Sequence, residues 1–348
     1  MAFDPAQEEY RRLSLRFART QDLHDPFAVT RAASAFRRRF AWNHDSLPQT
    51  DRDRAFHLVA RSSQIVDSDL PFADERDVAA LVYEAHGLLE EALALDPDCH
   101  DARRMLAAQD CTAFEDYYRF LVDGLDEVRA KSLAQRDAII AKNEPGCRAE
   151  ARLGMFPLYR WLAALAARAL VCGRYRKALA AAEELLALDP ADHGDVRFTA
   201  ALAYAKLEDE EGLRGLLERC SHSVQGRLRP DAWSLLAQCG LALKAGRDEE
   251  ARAHLHKILD VYPHAGSVLA AQGEVPDGIF ARLAVEPYSN DELVLAVSEA
   301  TVLTQEGLDL QGIGALGSFI AKDAEVIHGA MQDELEVAAV QGALSGRS

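Results

Sequence analysis

Residues 173–190 read GRYRKALAAAEELLALDP, and residues 246–263 read GRDEEARAHLHKILDVYP. The two stretches align without a gap. Gly173 falls on Gly246, Arg174 on Arg247, Ala178 on Ala251, Leu185 on Ile258, Leu188 on Val261 and Pro190 on Pro263. The offset, from 173 to 246, is two periods of about 34–39 residues. A middle copy is therefore expected. LEDEEGLRGLLERC, residues 207–220, fills that place, with Gly212 where the first copy has Ala178.

Each copy follows a segment with apolar residues at helical spacing: YRWLAALAARALVC (159–172), DVRFTAALAYAKL (195–207) and DAWSLLAQCGLALKA (231–245). The unit is helix, tight turn, helix. Glycine supplies the permissive backbone of the turn. A small residue early in the second helix lets two helices approach closely, and proline ends the unit because it cannot continue a helix. Upstream, LLEEALALDPDCHDARRML (88–106) echoes EELLALDPADHGDVRF (183–198), a further and degenerate copy near 79–107.

These residues resemble the tetratricopeptide repeat (TPR) family, whose 34-residue pattern has a turn Gly, a small residue and a closing Pro. Gly173, Tyr175, Ala178 and Pro190 match it, as do Gly246, Ala251 and Pro263. Ala166 and Cys239 depart from it in the first helices, and the middle copy lacks its Pro. LLALDPADHGDVRF also resembles bacterial TPR-type proteins with an Asn-Pro-Asn-Asp-Asn-Gln-Gly-Val-Arg segment; Asp189, Pro190, Asp192, Val196 and Arg197 are kept and the asparagines are lost. The resemblance implies an all-α, helix-turn-helix repeat solenoid (a TPR-like superhelix) with additional N-terminal and C-terminal helices. It also implies a concave face lined by the first helices. Numbering each repeat back from its small residue puts on that face Arg160, Ala163, Ala167, Leu170 and Val171, then Gly194, Arg197, Ala201, Tyr204 and Ala205, then Trp233, Leu236, Gly240, Leu243 and Lys244. Arg160, Arg197, Tyr204, Trp233 and Lys244 form the expected partner-binding wall. Cations and aromatics over an apolar floor suit a protein or peptide carrying acidic groups. The bland alternative is that the aromatics pack between repeats and the cations pair with nearby acids.

The expected organisation is an N-terminal helical region (1–145), the repeats (146–263), a C-terminal helical cap (264–340) and a disordered tail (341–348), with KNEPGCRAE (142–150) as the boundary. Residues 111–143 read as a long helix or helical pair, and Asn290 as an N-cap. No segment alternates as a strand does.

The formal net charge of -17 in 348 residues argues against nucleic-acid binding, because the chain repels polyphosphate. The first 62 residues run against that balance, with 11 Arg to 8 Asp and Glu. No apolar run has membrane-spanning length. Six cysteines without a CxxC pair read as reduced thiols in a cytoplasmic protein.

The search for chemistry finds no catalytic, cofactor-binding or metal-binding set. GxSxG, Walker and HExxH patterns are absent, and the glycine run GIGALG (312–317), though it has the GxGxxG form, opens no strand–loop–helix unit and reads as helix packing or a turn. His254 and His256 diverge by about 200° on a helix, so they do not share an ion. Cys99 with His100, and Cys220 with His222, lack a second pair at zinc spacing. His24-Asp25 and His44-Asp45 read as turns or N-caps. The expected function is thus a non-enzymatic scaffold, without cofactor or metal, that binds a protein or peptide through its concave face. The alternative is an enzyme or regulator whose active part is the N-terminal region, with the repeats recruiting substrate or signal; convergence of His24, His44 and Asp45 would favour it. A homo-oligomer mated through Ala-rich faces is the third possibility.

Overall fold

The structure, a computed structural model, describes residues 4–22, 25–220, 229–274, 285–307 and 313–345, with side chains to residue 336. All regular structure among them is helical, and no strand occurs. None of these helices is long and apolar enough to cross a membrane. The chain divides into two compact units between Leu165 and Ala166.

The first unit begins with α1 (Pro5–Arg19) and α2 (Pro26–Trp42). Asp4 and Asp25 cap them, each with proline in the first turn, where its missing N–H costs nothing. Asp25 is therefore an N-cap, as its sequence suggests, while His24 lies outside the described residues. A 3-10 turn at His44–Ser46 leads to α3 (Asp51–Gln64), which opens with a reciprocal capping box between Thr50 and Asp53. Then come α4 (Glu75–Leu95), α5 (His100–Asp110), α6 (Phe114–Lys142) and α7 (Cys147–Gly154), and α8 (Phe156–Val171) runs through the division. Ala55, Phe56, Val59, Leu89, Ala92 and Ala102 make one core among α3, α4 and α5. Leu13, Phe17, Phe36 and Leu47 make a second between α1, α2 and the turn.

The 142–150 stretch is a tight connection between α6 and α7. Asn143 and Gly146 take left-handed backbone, and Arg19 binds the Pro145 carbonyl and the Glu150 carboxylate. Pro and Gly here shape a turn, and the division between units falls later, inside α8.

The second unit contains α9 (Tyr175–Leu188), α10 (Val196–Lys206), α11 (Glu210–Cys220), α12 (Ala232–Lys244), α13 (Asp248–Val261) and α14 (Ala265–Ala270). It continues with α15 (Asn290–Glu299), α16 (Thr301–Thr304), α17 (Ala315–Ala321) and α18 (Ala324–Ser345). Ser289, one residue earlier than Asn290, caps α15. α18 extends to Ser345, into the segment expected as a tail. Neighbouring helices pack: α9 on α10, α10 on α11 and α12, and α12 on α13.

Three turns before α9, α11 and α13 share one backbone design. Gly173, Glu208 and Gly246 all take left-handed φ, at 70°, 58° and 72°. In each, the following N–H donates to a carbonyl five residues back: Arg174 to Ala169 (2.8 Å), Asp209 to Tyr204 (3.0 Å) and Arg247 to Ala242 (2.9 Å). This is the Schellman arrangement. It fixes the register of the middle copy. Five residues past each turn residue stand Ala178, Leu213 and Ala251, all buried. Leu213, and not Gly212, is the structural counterpart of the two alanines. Gly212 has a different role: a Cβ there would lie 2.2 Å from the Tyr204 ring, so glycine makes room for that ring.

Candidate functional site

The one-residue correction changes which side chains of α10 correspond to those of α12. Lys206 and Lys244 each stand two residues before the turn, at equivalent places. Both reach the same carboxylate. Lys206 Nζ lies 3.0 Å from Glu306 Oε1, and Lys244 Nζ lies 2.8 Å from Glu306 Oε2. Lys206 also donates to the Val302 carbonyl at 3.0 Å, closing the end of α16. Burial pushes the Glu306 carboxyl up, but the hydrogen bonds from Lys244 and Lys206 outweigh it and hold the group below its ordinary range.

Eleven residues before Lys244 on α12, about three turns away, the buried Trp233 indole N–H donates to Glu299 Oε2 at 2.7 Å. Its ring stacks on Phe198 at 3.9 Å between centroids. At Gly240, between Trp233 and Lys244 on the same face of α12, the nearest side chains are Leu316 and Leu303. One face each of α10 and α12 is thus covered by the chain's own α15, α16 and α17.

The remaining expected wall residues are placed otherwise. Tyr204 is buried and donates to Glu183 at 2.8 Å, a carboxylate that Arg219 also binds. Burial first, and the Glu183 bond second, push its phenol up to about 12. Arg197 is buried; its Nη1 donates to Asp192 (2.7 Å) and Asp195 (2.8 Å), and its guanidinium lies over Phe198. Asp192 and Asp195 both take left-handed φ, a conformation that Asn and Asp tolerate. The ADHGDVR segment therefore encodes a loop whose acids close on Arg197. In the first unit, Arg160 donates through Nε to Asp101 (2.7 Å) and through Nη1 to Glu8 (2.6 Å), and Glu8 is shared with Arg12. Burial pushes Asp101 up, but Arg160, and then Arg104 and Arg12, hold it down at about 2. Arg160 and Arg197 are cations paired with buried acids, not side chains of an open wall.

Of a third constellation the sequence singled out only His44. Glu9 on α1, His44 on the 3-10 turn and His57 on α3 converge in the first unit. His44 Nε2 lies 2.9 Å and His57 Nδ1 2.6 Å from the same oxygen, Glu9 Oε1. The imidazoles stack with centroids 4.4 Å apart. Glu9 is buried, and both histidines are partly exposed. Asp45 is exposed and takes no part. By contrast, His254 and His256 diverge, towards Glu250 and Asp323.

No family model, curated protein or solved structure matches the chain. One signal could have found part of what was missed. Aligning the copies at the turn, instead of at the small residue, brings in Lys206. Nothing in the spacing of residues 9, 44 and 57 marks them as neighbours; only the packing of α1 on α3 does.

Proposed function

We propose that this protein is a non-enzymatic, TPR-like scaffold that binds a protein or peptide partner on the inner face of its helical hairpins. The observation that carries the reading is the convergence of Lys206 and Lys244, equivalent residues of successive hairpins, on one carboxylate. Repeated helices that present the same cation at the same place make a surface suited to acidic segments. Trp233 adds a buried donor to a second carboxylate, seven residues earlier in the bound strand of sequence. The chain's own residues 290–307 occupy this face in cis and display the chemistry a partner must offer: carboxylates with the spacing of Glu299 and Glu306, and Val302 and Leu303 between them. A partner engages the face by taking the place of that segment. The six cysteines form no disulfide, in keeping with a cytoplasmic setting.

The test uses a labelled peptide of residues 290–307 titrated into full-length Glu306→Ala, whose own segment has lost its anchor. Saturable binding that weakens with salt is expected. Adding Lys206→Ala and Lys244→Ala should reduce affinity at least ~10-fold, about 1.4 kcal/mol. Equal affinity with and without the two lysines would contradict the reading. The rival, in which the N-terminal region carries an activity and the repeats recruit for it, rests on the cluster of Glu9, His44 and His57.

A further inference from the structure

We propose that Glu9, His44 and His57 form a binding site for a divalent first-row transition metal ion of the zinc type. The site lies in the first unit and does not depend on the scaffold reading.

The donor set is the first argument. Two imidazoles and one carboxylate match zinc and its neighbours, whereas magnesium and calcium take oxygen ligands. The geometry is the second. The three ligand atoms lie within 4.8 Å of one another, from three separate elements. Metal bonds of about 2.0–2.1 Å place tetrahedral ligands about 3.3 Å apart. The contacts of 2.9 and 2.6 Å therefore need to open by about 0.4 and 0.7 Å. Three protein ligands leave a fourth position for water or another ligand.

The third argument is support and access. Arg16 on α1 reaches Asp53 at the start of α3 at 2.9 Å, tying together the two helices that carry Glu9 and His57. The Phe40 ring meets His44 edge-on, with centroids 5.4 Å apart. Leu47, just past the turn, is buried in the aromatic cluster with Phe17 and Phe36. The ligands thus sit on packed elements, as a selective site requires. The partly exposed histidines give the ion its way in.

In the arrangement seen here, both rings donate to Glu9 Oε1. Coordination replaces those two N–H···O bonds. In the neutral rings the protons then reside on His44 Nδ1 and His57 Nε2, so their number is unchanged. Gln49 Nε2 lies 3.3 Å from His44 Nδ1 and donates to the His44 carbonyl at 2.8 Å. On loading, its amide must leave that carbonyl and offer its oxygen to Nδ1–H, the kind of outer partner that orients a ligating histidine.

The experiment takes the full-length protein, stripped with a chelator, and titrates it with Zn²⁺ calorimetrically and with Co²⁺ by visible absorption. The expected result is one ion per chain with micromolar or tighter affinity, and a Co²⁺ ligand-field band. His44→Ala and His57→Ala should each lose affinity by ~100-fold or more. Thermal unfolding keeps the test sound if a variant is weakened: Zn²⁺ should raise the Tm of the wild type, by linkage, and leave that of either variant unchanged. If His57→Ala does not fold, the milder His57→Gln takes its place. Wild-type protein that takes up no Zn²⁺ at about 100 µM, or variants that keep the wild-type stoichiometry and affinity, would overturn the proposal. Either failure leaves the binding face of the hairpins untouched.

Discussion

Lys206 and Lys244, one hairpin apart and each two residues before a left-handed turn, hold the two oxygens of Glu306 between them at 3.0 and 2.8 Å. Two consequences follow from this clamp. It joins successive hairpins through a carboxylate that belongs to neither, and it fastens the C-terminal segment at the edge of α16. Because Glu306 is more than a third exposed, each ion pair contributes modestly. The clamp is therefore a contact that a competing acidic group can replace.

The clamp is acid-sensitive. Glu306 is depressed below its ordinary value of 4.5, so its stabilising effect is complete above that value and is lost as pH falls through the lower, folded one. Glu306→Gln should remove that part of the acid sensitivity and cost about 0.5–1 kcal/mol at neutral pH. Urea titrations of both proteins at pH 7 and pH 3.5 check this. A difference between them that does not shrink at the lower pH would count against the clamp.

The middle turn should be improvable. Glu208 holds a left-handed φ of 58° that costs a side-chain-bearing residue energy, where the other two turns have glycine. Glu208→Gly should raise stability by about 0.5–1 kcal/mol, less whatever its 3.6 Å pairing with Lys244 contributes. A lowered denaturation midpoint would show that the turn is not under strain.

Gly212→Ala should do the opposite. The added methyl meets the Tyr204 ring at 2.2 Å and forces it off Glu183, with an expected cost of about 1–3 kcal/mol. Ala178→Leu, at a fully buried position, should cost a similar amount. Unchanged unfolding midpoints would contradict both packing assignments.

The buried arginines are predicted to matter for folding. Arg160→Ala leaves Asp101 and Glu8 buried without their main partner, a change that typically costs about 3–5 kcal/mol. Asp101, held down at about 2, contributes stability that is complete above its unfolded value of 3.8 and is lost as pH falls towards 2. Arg160→Met tests how much of the cost is charge, since it keeps the aliphatic packing. A wild-type unfolding midpoint in Arg160→Ala would refute the network.

The hairpins were legible because their determinants are local. Gly173 and Gly246 mark turns, and apolar residues at helical spacing mark the faces. The middle turn was obscured because Glu208 occupies a conformation its side chain does not advertise. Gly212 then drew the alignment one residue out of place, since a small residue that makes room for an aromatic ring reads like one at a helix crossing. That single residue rotates a helix by about 100°, enough to put Arg197 on the expected wall and leave Lys206 off it. In the third hairpin, where turn and small residue give the same register, Trp233 and Lys244 both meet carboxylates of the chain itself. Arg160 was misread for another reason. Its partner Glu8 lies 152 residues away in sequence, and such pairings are set by packing alone. The same is true of Glu9, His44 and His57.

Amide hydrogen exchange on the full-length chain tests the central claim, that paired lysines of successive hairpins hold an acidic segment on the inner face. It compares the wild type with Lys206→Ala/Lys244→Ala. The account predicts that amides of residues 300–307 exchange at least ~10-fold faster in the double variant, while those of α13 stay as protected as before. Equal protection of residues 300–307 in the two proteins would contradict it.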